Sequence, residues 1–190
     1  MYVPDRLVLQ FHITERCNLR CGHCYQEGSP AVDPSWDQLV SVIEQYKQLL
    51  DYWQGITGKA IPGHVNLTGG EVFLRRDFFD FLAFLNDQSN YFSHAILTNG
   101  LLCTSEVCSR LQKLKPKFVQ ISLDGSVEIQ KLCRIPNRKF PGKEECLWPH
   151  SSLPGNGGNE WYSYVFPLRE ASARVLCVYP LLVPHRVGHP

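Results

Sequence analysis

The sequence predicts an α/β fold of parallel strands joined by crossover helices, followed by an irregular, proline-rich tail. Three observations predict it. Apolar runs of period two alternate with apolar runs at three- and four-residue steps over the first two thirds of the 190 residues. Each run of the first kind ends in a polar or glycine-rich turn. Beyond about Gln130 both periods stop. Strands that alternate with helices pair in parallel, because each helix carries the chain back to the same end of the sheet.

Leu7, Leu9, Phe11 and Ile13 alternate with Val8, Gln10 and His12, which is the pattern of a strand. Asp33-Pro34 offers an N-cap with proline at the first helical position, and Leu39, Ile43, Tyr46, Leu50 and Trp53 continue a helix over 35–53. His64 to Leu67 is a short strand running into Thr68-Gly69-Gly70-Glu71. Phe78, Phe81, Leu82 and Leu85 give a second amphipathic helix. His94 to Thr98 is a third strand, ending at Asn99-Gly100. Thr104 can cap a third helix whose apolar face holds Val107, Leu111 and Leu114. Phe118 to Leu123 is a fourth strand, ending at Asp124-Gly125.

Four polar turns therefore follow strand C-termini: the stretch after Ile13, Thr68-Gly69-Gly70-Glu71, Thr98-Asn99-Gly100 and Asp124-Gly125. In parallel α/β folds the site forms at that end of the strands. The tail is different in kind. Eight prolines from Pro136 to Pro190 interrupt every candidate element, and Gly155-Asn156-Gly157-Gly158-Asn159 reads as loop. The chain divides accordingly into a core, 1–130, and a tail, 131–190, which reads as divergent or out-of-frame sequence joined near Gln130. On this division the fourth strand is a sheet edge.

Charge and composition narrow the function classes. A net charge of +1 gives no field that draws nucleic acid or an anionic membrane. No window holds the roughly eighteen uninterrupted apolar residues of a membrane span. Met1 to Arg6 has no basic region backed by an apolar run, so the chain reads as cytoplasmic. In a reducing compartment, clustered cysteines bind metal or do chemistry more often than they form disulfides.

The cluster in question is Cys17, Cys21 and Cys24 within "TERCNLRCGHCYQ", Thr14 to Gln26. With His23 as a fourth ligand they make a Cys3His zinc module. Alternatively, three thiolates hold a cubane iron–sulfur cluster and leave one iron open for a small molecule. Spacing alone leaves both readings open.

The quoted motifs go further. "CNLRCGHC" resembles the Cys-x3-Cys-x-aromatic-Cys signature of the radical S-adenosylmethionine (SAM) enzymes. "TGGE" resembles their SAM-amine motif, and "LTNG" and "QISLDG" resemble the ends of their third and fourth strands. The resemblance covers about 7–129, in family order, and "LQFHITERCNLRCGHCYQ" with "SLDG" is similar to the branch that modifies peptides and proteins, the sulfatase maturases and peptide maturases.

That resemblance implies a partial (βα) radical SAM barrel, of which about four strand–helix units are counted here. It implies a [4Fe–4S] cluster on Cys17, Cys21 and Cys24, with SAM on the open iron. His23 would lie beside the adenine. Gly69 and Gly70 would let backbone approach the SAM amine, which Glu71 would accept. On that reading, Gly70→Val weakens SAM binding and spares the cluster. Asn99, beside Thr98, and Ser122 with Asp124 would line the remaining SAM contacts. Arg134 falls where the family carries an arginine for the SAM carboxylate, but its flanking residues differ and it is not assigned. The implied chemistry is reductive cleavage of SAM to a 5′-deoxyadenosyl radical that abstracts hydrogen, served by a low-potential flavodoxin or ferredoxin, on a peptide or protein substrate. Cys103, Cys108, Cys133, Cys146 and Cys177 read as ordinary thiols. Where the barrel is incomplete, the alternative is a chain that binds the cluster without turnover.

Overall fold

A computed structural model describes residues 3–22, 24 and 33–123, together with the backbone of 134–136, 162–166 and 176–178. Strand β1 (Leu7–Thr14) leads through a loop to the short β2 (Leu19–Cys21). Then come α1 (Trp36–Thr57), β3 (Gly63–Gly69), a 3₁₀ turn at Val72–Leu74, α2 (Phe78–Asp87), β4 (Phe92–Thr98), α3 (Ser105–Leu114) and β5 (Val119–Leu123). Three short strands follow: β6 (Arg134–Pro136), β7 (Tyr162–Phe166) and β8 (Leu176–Val178).

The main sheet has the order β1-β3-β4-β5-β7-β8. The first four of these pair in parallel, as the alternation of strands and helices predicts, and β7 and β8 add on antiparallel. The segment after residue 130, expected to be irregular, thus supplies three strands, and β5 is not an edge. Tyr162-Ser163-Tyr164-Val165-Phe166 is a proline-free run of aromatic and β-branched residues, which suits a pleated surface. Pro167 ends it. Separately, β2 pairs antiparallel with β6, with Cys21 opposite Arg134.

Helix α1 starts one residue later than expected. Ser35, not Asp33, is the N-cap: its hydroxyl accepts from the Gln38 N–H, and the Gln38 side chain accepts in return from the Ser35 N–H. This capping box contributes about 1 kcal/mol. The helix then continues to Gly58, whose φ of 67° ends it in a left-handed cap. Thr104 caps α3 as predicted, accepting from the Val107 N–H.

Period two divides the sheet into two faces. Leu7, Leu9, Phe11 and Ile13, with Val65, Leu67, Phe92, Ile96, Val119 and Ile121, pack against Leu39 and Ile43 of α1, Phe81 and Leu85 of α2, and Leu111 of α3. Tyr46 bolts α1 to the sheet: its hydroxyl donates to the Leu7 carbonyl at 2.8 Å and receives the His64 N–H at 2.9 Å. The other face is polar, and a hydrogen-bonded row runs across it from Gln10 through Asn66 and His64 to Ser93. Among the described residues no helix is long and apolar enough to cross a membrane.

Candidate cofactor site

Because β1, β3, β4 and β5 are parallel neighbours, their C-terminal ends share one edge of the sheet. Thr14, Gly69, Thr98 and Leu123 end those strands. Cys17 lies in the loop after β1, Cys21 ends β2, and the Cys24 N–H closes a turn onto the Cys21 carbonyl at 3.0 Å.

The cysteine loop is laid directly on the end of β3. The Gly70 N–H donates to the Thr14 carbonyl at 2.8 Å, and the Glu71 N–H donates to the Arg16 carbonyl at 2.7 Å. A Cβ on Gly70 would sit 2.2 Å from the Arg16 oxygen and 3.0 Å from Cys17 Cβ. A Cβ on Gly69 would sit 2.2 Å from the Thr14 oxygen, and Gly69 has a φ of +134°. The paired glycines therefore make room for the backbone that carries the thiols.

The same loop is held from its other side. Thr14 Oγ1 donates to Asp33 Oδ1 at 2.6 Å, and Arg16 forms a short ion pair with Asp33 Oδ2. Burial pushes the Asp33 carboxyl up, but the Arg16 and Thr14 hydrogen bonds and the two nearby guanidinium charges outweigh it, and the net shift is downward. This is why Asp33 does not cap α1. Below the loop, the buried Arg75 donates from Nη1 to the Ile13 and Pro34 carbonyls at 2.8 and 2.9 Å. Its Nη2 donates to Asp77 Oδ2 at 2.9 Å; its Nε, 2.7 Å from Asp77 Oδ1, forms an ion pair without hydrogen-bond alignment.

Glu71 is fully buried. Its two carboxylate oxygens both receive the Thr98 hydroxyl at 2.8 Å, and they also accept the Asn99 N–H at 2.8 Å and the Phe73 N–H at 3.3 Å. Asn99 completes a tight turn: its Oδ1 accepts the Leu101 N–H, and Gly100 follows with a φ of 80°. Its Nδ2 donates to Asn18 Oδ1 at 2.7 Å and lies 3.9 Å from Cys17 Sγ. The Leu19 N–H reaches the same sulfur at 3.4 Å. Burial pushes the Cys17 thiol up, reinforced by the charges of Glu71 and Cys24 and opposed by the Leu19 and Asn99 hydrogen bonds.

Of the residues expected from sequence, Cys17, Cys21, Cys24, Gly69, Gly70, Glu71 and Asn99 are drawn to this edge. Ser122 lies one residue before the end of β5, partly buried and in register with Ser163 of β7. His23 and Asp124 lie outside the described residues. Sequence reasoning missed Asn18, Asp33 and Arg75, whose roles depend on contacts distant in the chain, and left Arg134 unassigned, though its backbone pairs with Cys21.

The residues fit an iron–sulfur cluster. Three thiols share one loop, and two N–H donors already address the Cys17 sulfur. Asn18, 1% exposed, keeps its Nδ2 without a hydrogen-bond acceptor among the described residues. Donors around a thiolate are the outer shell that such clusters use. A cubane takes its thiolates at separate corners.

Comparison with known proteins agrees. A family profile described as the Radical SAM superfamily matches residues 11–141. The chain is similar to the antilisterial bacteriocin subtilosin biosynthesis protein AlbA of Bacillus subtilis, 35% identical over 126 residues, which cover 64% of this chain and 25% of AlbA. It is also similar to a GTP 3′,8-cyclase of Aliarcobacter butzleri, 33% identical over 116 residues, covering 61% of this chain and 34% of the cyclase. Among solved structures, native anSMEcpe with bound AdoMet and Kp18Cys peptide superposes with a TM-score of 0.53 at 24% identity, covering 72% of this chain and 37% of that one. This last likeness is one of fold. The chain spans well under half the length of each of these relatives.

Proposed function

Because the chain belongs to the radical SAM superfamily, whose members bind a [4Fe–4S] cluster and SAM, we propose that it uses them to modify a peptide or protein. The observation that carries this is the seating of the three-cysteine loop on Gly69 and Gly70, beside the Glu71–Asn99 turn. Cys17, Cys21 and Cys24 would hold three irons of the cluster, with SAM on the fourth. When bound, the reduced cluster would supply the electron for reductive cleavage of SAM and so for hydrogen-atom abstraction from the substrate. The chain's own residues bind and orient. Gly69 and Gly70 hold the loop close to the sheet edge, Asp33 and Arg75 fix its entry, and Ser122, with His23 and Asp124, would contact SAM.

A peptide or protein substrate is supported by the 35% identity to AlbA, a bacteriocin biosynthesis protein. The GTP 3′,8-cyclase relatives, at 33% identity, favour a second reading in which the substrate is a nucleotide. The family chemistry requires a reductant, and a flavodoxin or ferredoxin would serve. The described cysteines form no disulfide, which suits a cytoplasmic protein. Residues 1–130 would form the cofactor core and 131–190 a tail of different character, with the β2–β6 pairing tying 134–136 to the core.

Anaerobic reconstitution tests the reading. The expected chain is brown, contains iron and sulfide, and on reduction converts SAM to 5′-deoxyadenosine, faster with a cysteine-containing peptide than with GTP. A colourless chain with bound zinc would replace it with the Cys3His module. A cluster without SAM cleavage would leave a binding function alone.

A further inference from the structure

Glu71 is the residue expected to meet the SAM amine, yet its carboxylate is turned into the protein. It is 0% exposed, and Thr98, Asn99 and Phe73 supply donors to both its oxygens. What those contacts fix is the turn at the end of β4. The Asn99 N–H on Glu71 Oε2 and the Leu101 N–H on Asn99 Oδ1 hold the Asn99 amide from both ends. The amide is thereby aimed at the cysteine loop, with Nδ2 at 2.7 Å from Asn18 Oδ1 and 3.9 Å from Cys17 Sγ.

We infer that Asn99 is a hydrogen-bond donor to the Cys17 thiolate of the cluster and that Glu71 is the residue that positions it, acting on the cluster's reduction potential and not on the SAM amine. The inference rests on the radical SAM reading of the three cysteines. Its physical basis is the response of a metal-bound thiolate to nearby donors. A donor withdraws electron density from sulfur, stabilises the more negative reduced state and raises the potential. Asn99 and the Leu19 N–H both address Cys17, whereas no described side chain donates to the sulfur of Cys24 among the hydrogen bonds of the site. Asn18 links the two halves: its Oδ1 accepts from Asn99 Nδ2 at 2.7 Å and lies 4.0 Å from Cys17 Sγ.

The test is an EPR-monitored redox titration of the reconstituted full chain without SAM, which isolates the cluster from any effect on SAM. Asn99→Asp keeps the backbone N–H on Glu71 and the acceptor for Leu101 but loses the amide donor. Its midpoint is expected below that of the wild type, with iron and sulfide content unchanged. Because Asn99→Asp also adds a charge, the uncharged Asn99→Ala is titrated beside it, and its midpoint too is expected below that of the wild type. Glu71→Asp, which keeps the charge but shortens the reach to the Asn99 N–H, is expected to move the midpoint in the same direction, and the double variant to move it no further than the Asn99 variant alone, because the two act in series. Unchanged midpoints in fully loaded variants overturn the inference, as does a Glu71→Asp variant that alters SAM affinity at an unchanged midpoint. Wild type that binds no iron or sulfide overturns the radical SAM reading itself, and the two failures are distinct.

Discussion

Arg75 Nη1 lies 2.8 Å from the carbonyl oxygen of Ile13, one residue before β1 ends, and the same nitrogen lies 2.9 Å from the carbonyl of Pro34, just before α1. A single buried cation thus fastens the entry of the cysteine loop to the start of the first helix, with Asp77 neutralising it from the start of α2. Arg75→Met is expected to leave two carbonyls and a carboxylate without their donor, at a cost of about 3–5 kcal/mol. Urea denaturation reads this as a lower midpoint, with reduced iron content in the chain that remains folded. An unchanged midpoint would mean the guanidinium is dispensable.

Gly70→Val separates the sequence expectation from the structural one. The sequence predicts weaker SAM binding with the cluster intact. The geometry predicts loss of both, because the added carbons meet the Arg16 carbonyl and Cys17 Cβ. The overpacking alone costs roughly 1–3 kcal/mol. Iron and sulfide analysis decides: full loading with impaired SAM binding would vindicate the sequence expectation.

The triple variant Cys17/Cys21/Cys24→Ala is expected to carry background iron and sulfide after reconstitution. The remaining described thiols, Cys103 and Cys108, sit before and within α3. Cluster content equal to that of the wild type would remove the assignment.

His94 makes an acid limb to the stability curve. It is 4% exposed, its Nε2 has no hydrogen-bond partner among the described residues, and burial followed by the charge of His64 lowers its pKa from 6.5 to about 4. The unfolded chain therefore binds a proton that the folded chain refuses between these values. Stability is full above pH 6.5 and falls as the pH drops toward 4, by on the order of 3 kcal/mol. His64, also shifted downward by burial, adds to the same limb. Urea midpoints taken across this window should fall for the wild type and flatten for His94→Leu; parallel curves would discount His94.

Ending the chain after Gln130 removes β6, β7 and β8, leaving β2 without its partner and β5 as an open edge. Self-association by light scattering and reduced iron loading are expected. A monomeric truncated chain that loads fully would show that the core ends where its sequence periodicity ends.

The strand–helix order and the site edge were legible because periodicity and turn residues act locally. Leu39, Ile43, Tyr46 and Leu50, chosen from spacing alone, are all buried in α1. What spacing cannot express is competition between distant partners. Asp33 is a sound cap by its neighbours, but Arg16 and Thr14 claim it from the other side of the loop, and Ser35 takes the cap. The likeness of "TGGE" to the family's SAM-amine motif points Glu71 at the amine; its burial against Thr98, 27 residues away, is not written in that motif. The later strands were hidden by prolines counted over the whole tail, while Tyr162 to Phe166 contains none.

The two hydrogen bonds from the end of β3 to the Thr14 and Arg16 carbonyls have a consequence for assembly. They immobilise the first half of the thiol-bearing loop when the sheet forms, before any iron arrives. The entropy of ordering that backbone, about 1–2 kcal/mol per residue, is then a cost of folding and is absent from the affinity for the cluster. Cys17, which directly follows Arg16, is thus carried on backbone already fixed to the sheet before a cluster arrives.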